Sequence, residues 1–236
     1  LSLDALPAQH VDTGMGFERL ASILQDKLSN YDTDVFMPIF AAIQRATGAP
    51  PYTGLVGEAD ADTKDMAYRV VADHIRTLSF AITDGAVPDN MGRGYVLRRI
   101  LRRAVWYGKT FLGAPPGFFH TLVPVVIEQL AYFFPELGKK QAHVMAVLKG
   151  EEEDFLKTLD KGVRHFNKVA KKLSESGVKV VPGAEAWFLS SSLGFPLDLT
   201  QIMAEEQGLT VDEEGYNAAR QAEKDHNDEA LASRKA

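Results

Sequence analysis

The sequence contains no cysteine, and this absence excludes disulfide bonds and thiolate metal sites. Its six histidines are scattered, with no two at the i,i+3 or i,i+4 spacing that brings ligands to one face of a helix. We therefore predict no metal site. No apolar run approaches the roughly 18 residues that a membrane-spanning helix needs, and no signal segment opens the sequence. These absences predict a cytoplasmic protein without a membrane span.

Basic residues are in the minority overall, but they concentrate in one short stretch. The formal net charge is −6, which argues against a protein that binds nucleic acid with its whole surface. In “RGYVLRRILRRA”, the i, i+3, i+4, i+7 spacing predicts an inward helix face made of Leu97, Ile100, Leu101 and Ala104. The other side carries four arginines at repulsive i,i+4 spacing: Arg98, Arg99, Arg102 and Arg103. Either acidic protein neighbours or a polyanion such as a nucleic-acid backbone must offset that repulsion.

Helical periodicity dominates the rest of the sequence, whose 236 residues suffice for one large domain or two small ones. The predicted helices span about 17–29, a short segment ending near 47, 63–83, 95–111, 118–134, 140–176, 184–191, a segment ending near 207, and a polar segment after 211. Residues 1–13 resemble an extended segment. The predicted fold class is therefore mostly α, with a small β contribution at the N-terminal edge.

The stretch “VDTGMGFERL” has the residue types of a ligand-binding turn. Gly14 and Gly16 would let a small ligand lie directly on the backbone, and Asp12 could pair with an amino group. Arg19 in the first helical turn could hold a phosphate with two hydrogen bonds, while Glu18 could orient a neighbour or help hold a metal. The same pattern also fits an ordinary strand–turn–helix corner with a surface ion pair.

Two further loops carry polar residues. In “PDNMGRG”, the amide of Asn90 could hydrogen-bond to a base edge, although Asp, Asn and Gly are also the usual residues of turns. In “SSSLGFPLDLT”, the serines form no nucleophile elbow and have no histidine nearby in sequence, so a serine-hydrolase site is not predicted.

Together these stretches resemble one family, the alanyl-tRNA synthetases, which are class II ligases of protein biosynthesis. The resemblance covers essentially the whole chain and is carried by “VDTGMGFERL”, “SNYDTDVF”, “DMAYRVVADHIRTLSFAITDGAVPDNMGRGYVLRRILRRAVWYG”, “EEEDFLKTLDKG” and “LGFPLDLTQIMAEEQGLTVDEEGY”. The loop “GAPPYTGLVGEADADTKDMAYR” is similar to the eukaryotic cytosolic branch. The family implies that residues 1–30 are the edge of an antiparallel α/β aminoacylation domain, with its third signature motif as strand, turn and helix. Residues 31–236 would form a helical tRNA-recognition domain that leads towards an editing domain.

The family also implies roles for individual residues. Arg19 would bind the ATP γ-phosphate as a catalytic residue, with Gly16 and Glu18 beside it, and Asp12 and Gly14 would bind alanine. Recognition of the tRNA(Ala) acceptor stem, with its G3·U70 wobble pair, would fall to Asn90, Arg93, Arg98, Arg99, Arg102, Arg103 and Ser191. ATP with Mg²⁺ would be a substrate of the full enzyme, and this chain would hold no zinc site.

Two departures from the family pattern keep a second function open. The family usually has aspartate as a second reader of the wobble pair at the position where this chain has Ser191, and serine lacks the charge and the reach. The first two class II motifs do not precede Val11, and the histidine and cysteine zinc signature of the editing domain does not follow. We therefore expect this chain to be inactive alone, as part of an alanine–tRNA ligase. The alternative is a stand-alone, non-catalytic tRNA-binding or regulatory protein derived from a synthetase.

Overall fold

The structure is a computed structural model that describes residue 8 and residues 12–233, with side chains described up to residue 226. The prediction of a mostly helical protein is confirmed. Nine α-helices are present in the described residues: α1 Phe17–Leu24, α2 Met37–Thr47, α3 Lys64–Thr83, α4 Gly92–Leu112, α5 Val123–Leu130, α6 Pro135–Ser176, α7 Gly183–Leu193, α8 Leu197–Glu206 and α9 Glu213–Ser233. None of these helices is both long and apolar enough to cross a bilayer.

The only strands among the described residues lie near the C-terminal end. The strands β1 (Val180–Val181) and β2 (Thr210–Val211) pair in parallel, with Val180 opposite Thr210. The predicted β contribution at the N-terminal edge falls on residues 1–13, most of which lie outside the described residues, and residues 12–16 have no regular structure. Two-residue strands give no period-2 pattern, so the sequence could not locate this pair.

The core forms where α3 packs against α4, with α5 and the first half of α6 closing it. The predicted inward face of α4 is confirmed, because Leu97, Leu101 and Ala104 are buried and Ile100 is half-buried. Fully buried Ile75 and Leu78 lie on α3. An apolar stripe at 3.6-residue period can only be removed from water against such a neighbour. The core therefore fixes which way the arginine side of α4 points.

Several helix ends differ from the predicted ones for local reasons. The first helix ends at Leu24 rather than near residue 29, and Asp26 just beyond it has a left-handed backbone with φ of 52°. The predicted helix 118–134 is a 3₁₀ turn, Phe119–Leu122, followed by α5 alone. The long helix α6 begins at Pro135 rather than near residue 140, because proline is favoured in the first turn of a helix.

The second half of α6 supports α7, which in turn packs against α8 and α9. At Gly162 an added Cβ would lie only 2.8 Å from Cδ2 of Phe195, so the glycine allows this buried ring to pack directly on the helix. Phe195 follows Gly194, which ends α7 with φ of 61°. The turn between α7 and α8 is thereby held against α6. The proposed division at residue 30 stays a prediction.

Candidate nucleic-acid interface and ligand-facing loop

The loop before α1 is open to solvent. Asp12, Gly14, Gly16 and Arg19 are all exposed, and a Cβ added at Gly14 would meet nothing within 4 Å. Among the described residues Arg19 has no ion-pair partner, so its guanidinium is accessible to an anion. This arrangement fits a phosphate contact at Arg19, while the close backbone approach expected at Gly14 has no counterpart within the described chain.

Glu18, unlike Arg19, has an ion-pair partner. Its Oε1 accepts a hydrogen bond of 2.9 Å from Nη2 of Arg76 on α3. Burial raises the pKa of Glu18, but hydrogen bonds from its own backbone and from Arg76 outweigh burial and lower the pKa below its usual value. The carboxylate therefore fixes α1 to α3 in this structure. No group of three or more His, Asp or Glu side chains in the described part of the chain could hold a metal ion.

The apolar side of α1 faces solvent rather than the core. The exposed fractions are 56% for Phe17, 75% for Ile23 and 77% for Leu24, whereas Ser22 is buried. The helical spacing predicted the helix correctly, but the spacing does not say what covers its apolar face.

Of the four arginines predicted on the outer side of α4, three have hydrogen-bond or ion-pair partners in the protein. Arg98 donates to both carboxylate oxygens of Glu151 on α6, through Nε to Oε2 at 2.9 Å and through Nη2 to Oε1 at 2.8 Å. Arg102 donates to the carbonyl oxygen of Gly194 and lies over the ring of Phe155, with 5.3 Å to the ring centroid. These neighbours offset the like-charge repulsion that the sequence left unexplained.

Arg103 and Arg99 differ in exposure. Arg103 lies 3.9 Å from the carboxylate of Asp198 on α8 and over the ring of Tyr107. Arg99 is exposed and lies beside the ring of Tyr95, and Arg93 in the first turn of α4 is exposed as well. Arg93 and Arg99 are thus the most accessible of the predicted tRNA-binding cations.

A small cleft separates α4 from the end of α7. It has a volume of about 20 Å³ and is lined by Tyr95, Arg98, Arg99, Arg102, Ser190, Gly194 and Pro196. Asn90 accepts a hydrogen bond from Nη1 of Arg98 on the α4 side, and exposed Ser191 directly follows Ser190 on the α7 side. Neither Asn90 nor Ser191 lines the cleft itself, but each is next to a residue that does, Arg98 on the α4 side and Ser190 on the α7 side.

The α7 side of the cleft is fixed by packing. The positive φ of Gly194 favours glycine, and a Cβ there would force the guanidinium of Arg102 to move. The hydroxyl of Tyr216 on α9 donates to Oγ of Ser190 at 3.1 Å. Sequence reasoning missed Glu151, Asp198 and Gly194 as partners of the arginines, because each lies 50 or more residues away in the chain.

Comparison with known protein families identifies the class of protein to which this chain belongs. A model of the protein family described as “tRNA synthetases class II (A)” matches residues 1–236. The chain therefore belongs to this family of class II tRNA synthetases, as the helical fold and the quoted motifs had led us to expect.

The curated relatives are more specific. The chain is 58% identical to the cytoplasmic alanine–tRNA ligase of Dictyostelium discoideum over 223 residues, 94% of this chain and 23% of that protein. It is 55% identical to the cytoplasmic alanine–tRNA ligase of Drosophila melanogaster over 219 residues, 93% of this chain and 22% of that protein. It is 54% identical to the mitochondrial alanine–tRNA ligase of Saccharomyces cerevisiae over 221 residues, 93% of this chain and 22% of that protein. The chain spans less than a quarter of the length of these relatives.

Proposed function

We propose that this chain is part of a cytoplasmic alanine–tRNA ligase and that it supplies the third class II motif and recognition of the tRNA(Ala) acceptor stem. The relatives named above support the reaction, which joins alanine to tRNA at the expense of ATP. The observation that carries the RNA-binding part is the cleft between α4 and α7. Two of its lining residues lead to the predicted readers, since Arg98 donates a hydrogen bond to Asn90 and Ser190 directly precedes exposed Ser191. The exposed cations Arg93 and Arg99 lie on the same helix as its α4 side.

The contacts to RNA divide by chemistry. Arg93 and Arg99 make sequence-independent contacts to phosphates, which position the stem, with help from Arg102 and Arg103 in the electrostatic field. Asn90 and Ser191 contact the edges of the G3·U70 pair, which supply discrimination. A base-edge contact is worth about 1–3 kcal/mol, or about 5- to 150-fold in affinity.

The loop before α1 contributes to the ligand pocket of the full enzyme. Arg19 binds the ATP γ-phosphate, with Gly16 and Glu18 beside it, and Asp12 and Gly14 bind alanine. An ATP-bound Mg²⁺ would neutralise phosphate charge there. The described residues offer one open side of such a pocket, so the isolated chain is expected not to catalyse alanine-dependent ATP–pyrophosphate exchange.

The test of stem recognition compares two RNA duplexes. The affinity of the chain for an acceptor-stem minihelix with G3·U70 should exceed its affinity for the same minihelix with G3·C70. Asn90→Ala should remove this preference, and Asn217→Ala, the same chemical change at an exposed position on α9, should leave it intact. Equal affinity of the unsubstituted chain for both stems would refute the proposal.

A second candidate is a non-catalytic tRNA-binding protein derived from a synthetase. It is favoured by Ser191, an exposed hydroxyl where the family usually has a carboxylate. The gene separates the two candidates: an upstream reading frame that encodes the first two class II motifs supports the ligase, and a start codon next to Leu1 supports the second candidate.

A further inference from the structure

We propose that Glu151 is a positioning residue for Asn90, acting through Arg98, and that it makes Asn90 present a hydrogen-bond donor to the RNA. This inference rests on the proposed function, since it takes Asn90 as a reader of the acceptor stem. It assigns to α6, an element outside the predicted interface, a part in stem discrimination.

Hydrogen bonds connect Glu151 to Asn90 through Arg98, and each nitrogen of the Arg98 guanidinium has one partner. The Nε and Nη2 atoms of Arg98 are both occupied by the two carboxylate oxygens of Glu151, at 2.9 Å and 2.8 Å. The remaining nitrogen, Nη1, donates to Oδ1 of Asn90. Because a guanidinium is planar, the paired carboxylate sets the direction in which Nη1 points.

The pair is also shielded enough to hold its geometry. The side chains of Arg98 and Glu151 are 17% and 18% exposed, whereas Asn90 is exposed. A bidentate ion pair with little solvent access keeps its orientation better than a pair on the open surface. The Arg98–Glu151 pair is therefore shielded from solvent, whereas the Asn90 amide that it orients is at the surface.

The polarity of the Asn90 amide follows from this contact. A guanidinium has only donors, so the oxygen of the amide must turn towards Arg98 and the NH₂ group must turn away. Asn90 therefore offers donors to a ligand, and its partner on the RNA must be an acceptor. The shallow minor groove of an RNA helix presents such acceptors as base-edge oxygens and nitrogens and as ribose hydroxyls.

Arg98 consequently has a different role from the exposed arginines. Its positive charge is neutralised by Glu151, so its loss should change discrimination between stems more than overall affinity. The exposed guanidinium of Arg99 should behave in the opposite way, with weaker binding of all stems and a smaller dependence on salt. The two roles can be separated because they predict different readouts.

The test uses Glu151→Gln, with Glu153→Gln as the matched control. Both variants remove one carboxylate from the same stretch of α6, but Glu153 is exposed, and within the described part of the chain its ion-pair partner is Lys149, at 4.0 Å. We expect Glu151→Gln to reduce the G3·U70 over G3·C70 preference to that of Asn90→Ala. Any gain in affinity from the freed charge of Arg98 is shared by both stems and does not restore the preference. The double variant Asn90→Ala/Glu151→Gln should lose nothing further, because the two residues act as one unit.

Two results would overturn the inference. If Glu151 only neutralises Arg98, then Glu151→Gln will tighten binding of both stems alike and leave the ratio of their affinities intact. If Glu151→Gln leaves the preference unchanged, Asn90 does not depend on it. Arg98→Lys is a second variant, since lysine cannot bond to Glu151 through two nitrogens and reach Asn90 with a third. It should lower the preference without lowering the salt dependence, and the reverse result would contradict the assigned role.

A measurement without RNA separates this inference from the proposed function. The side-chain amide of Asn90, assigned by its loss in Asn90→Ala, should show restricted fast motion by ¹⁵N relaxation in the unsubstituted chain and in Glu153→Gln. Its mobility should increase in Glu151→Gln. An amide that does not respond to Glu151→Gln overturns the positioning role, whereas equal binding of the two stems by the unsubstituted chain overturns the proposed function.

Discussion

The buried carboxyl group of Glu152 on α6 makes the stability of this fold depend on pH. The residue is fully buried, and its oxygens accept hydrogen bonds from the backbone N–H groups of Gly117 at 3.0 Å and Phe119 at 3.2 Å. His120 lies 3.8 Å away, and a partnering lysine or arginine is absent among the described residues. Burial raises the pKa of Glu152 to about 7, although the backbone hydrogen bonds act in the opposite direction.

The sign and size of the effect follow from this pKa. Between its ordinary value of 4.5 and about 7, the folded protein binds more protons at this site than the unfolded chain does. Stability from the group is therefore complete below about pH 4.5 and is lost as the pH rises through about 7. Integration from pH 5 to pH 8 gives a loss of about 2–3 kcal/mol in the free energy of unfolding.

The assay is urea unfolding of the unsubstituted chain and of Glu152→Gln at pH 5 and pH 8. Glutamine has nearly the same shape and no charge to bury. The free energy of unfolding of the variant, relative to the unsubstituted chain, should rise by about 2–3 kcal/mol between the two pH values. Glu153→Gln, at an exposed neighbour, should show no comparable rise. If the free energy of unfolding of Glu152→Gln relative to the unsubstituted chain stays constant or falls between pH 5 and pH 8, the backbone N–H groups hold the ionised form of Glu152. That result would refute the raised pKa.

Two further predictions test the packing that supports the interface. Gly108→Ala would place a Cβ that overlaps the ring of Phe118, and it should destabilise the protein by about 1–3 kcal/mol. Gly150→Ala, whose Cβ meets nothing within 4 Å, should stabilise α6 by up to about 1 kcal/mol, and equal effects of the two variants in thermal unfolding would contradict this. Asp65→Asn should cost about 1–3 kcal/mol in urea unfolding at pH 7, because the Asp65 carboxylate accepts hydrogen bonds from the backbone of Thr53 and Leu55; a cost below about 0.5 kcal/mol would show that this loop needs no carboxylate.

The sequence predicted the features that depend on neighbours a few residues away. The inward face of α4 was evident because Leu97, Leu101 and Ala104 repeat at the helical period and have no other way to leave water. The start of α6 was missed because the positions around Pro135 show no clear period, and proline is as common in turns as in first helical turns.

The features that depend on distant neighbours could not be predicted. Arg98 and Glu151 are 53 residues apart, and Arg102 and Gly194 are 92 residues apart, so only the tertiary fold brings them together. For the same reason, the sequence could not tell whether protein or polyanion offsets the repulsion on α4. The exposed apolar side of α1 makes a similar point, since periodicity predicts a helix but does not identify its partner.

Binding of the acceptor stem next to Ser191 can be tested by locating the RNA on the protein. Because the chain has no cysteine, Ser191→Cys provides a single attachment point for an iron chelate that cleaves nearby RNA with hydroxyl radicals. Ser176→Cys, at the exposed end of α6, is the matched control. Recognition of the 3·70 pair at this position predicts cleavage of the acceptor-stem minihelix centred on that pair from position 191 and none there from position 176. Cleavage from position 191 that is centred elsewhere on the stem, or is equal from both positions, would show that the stem does not bind here as proposed.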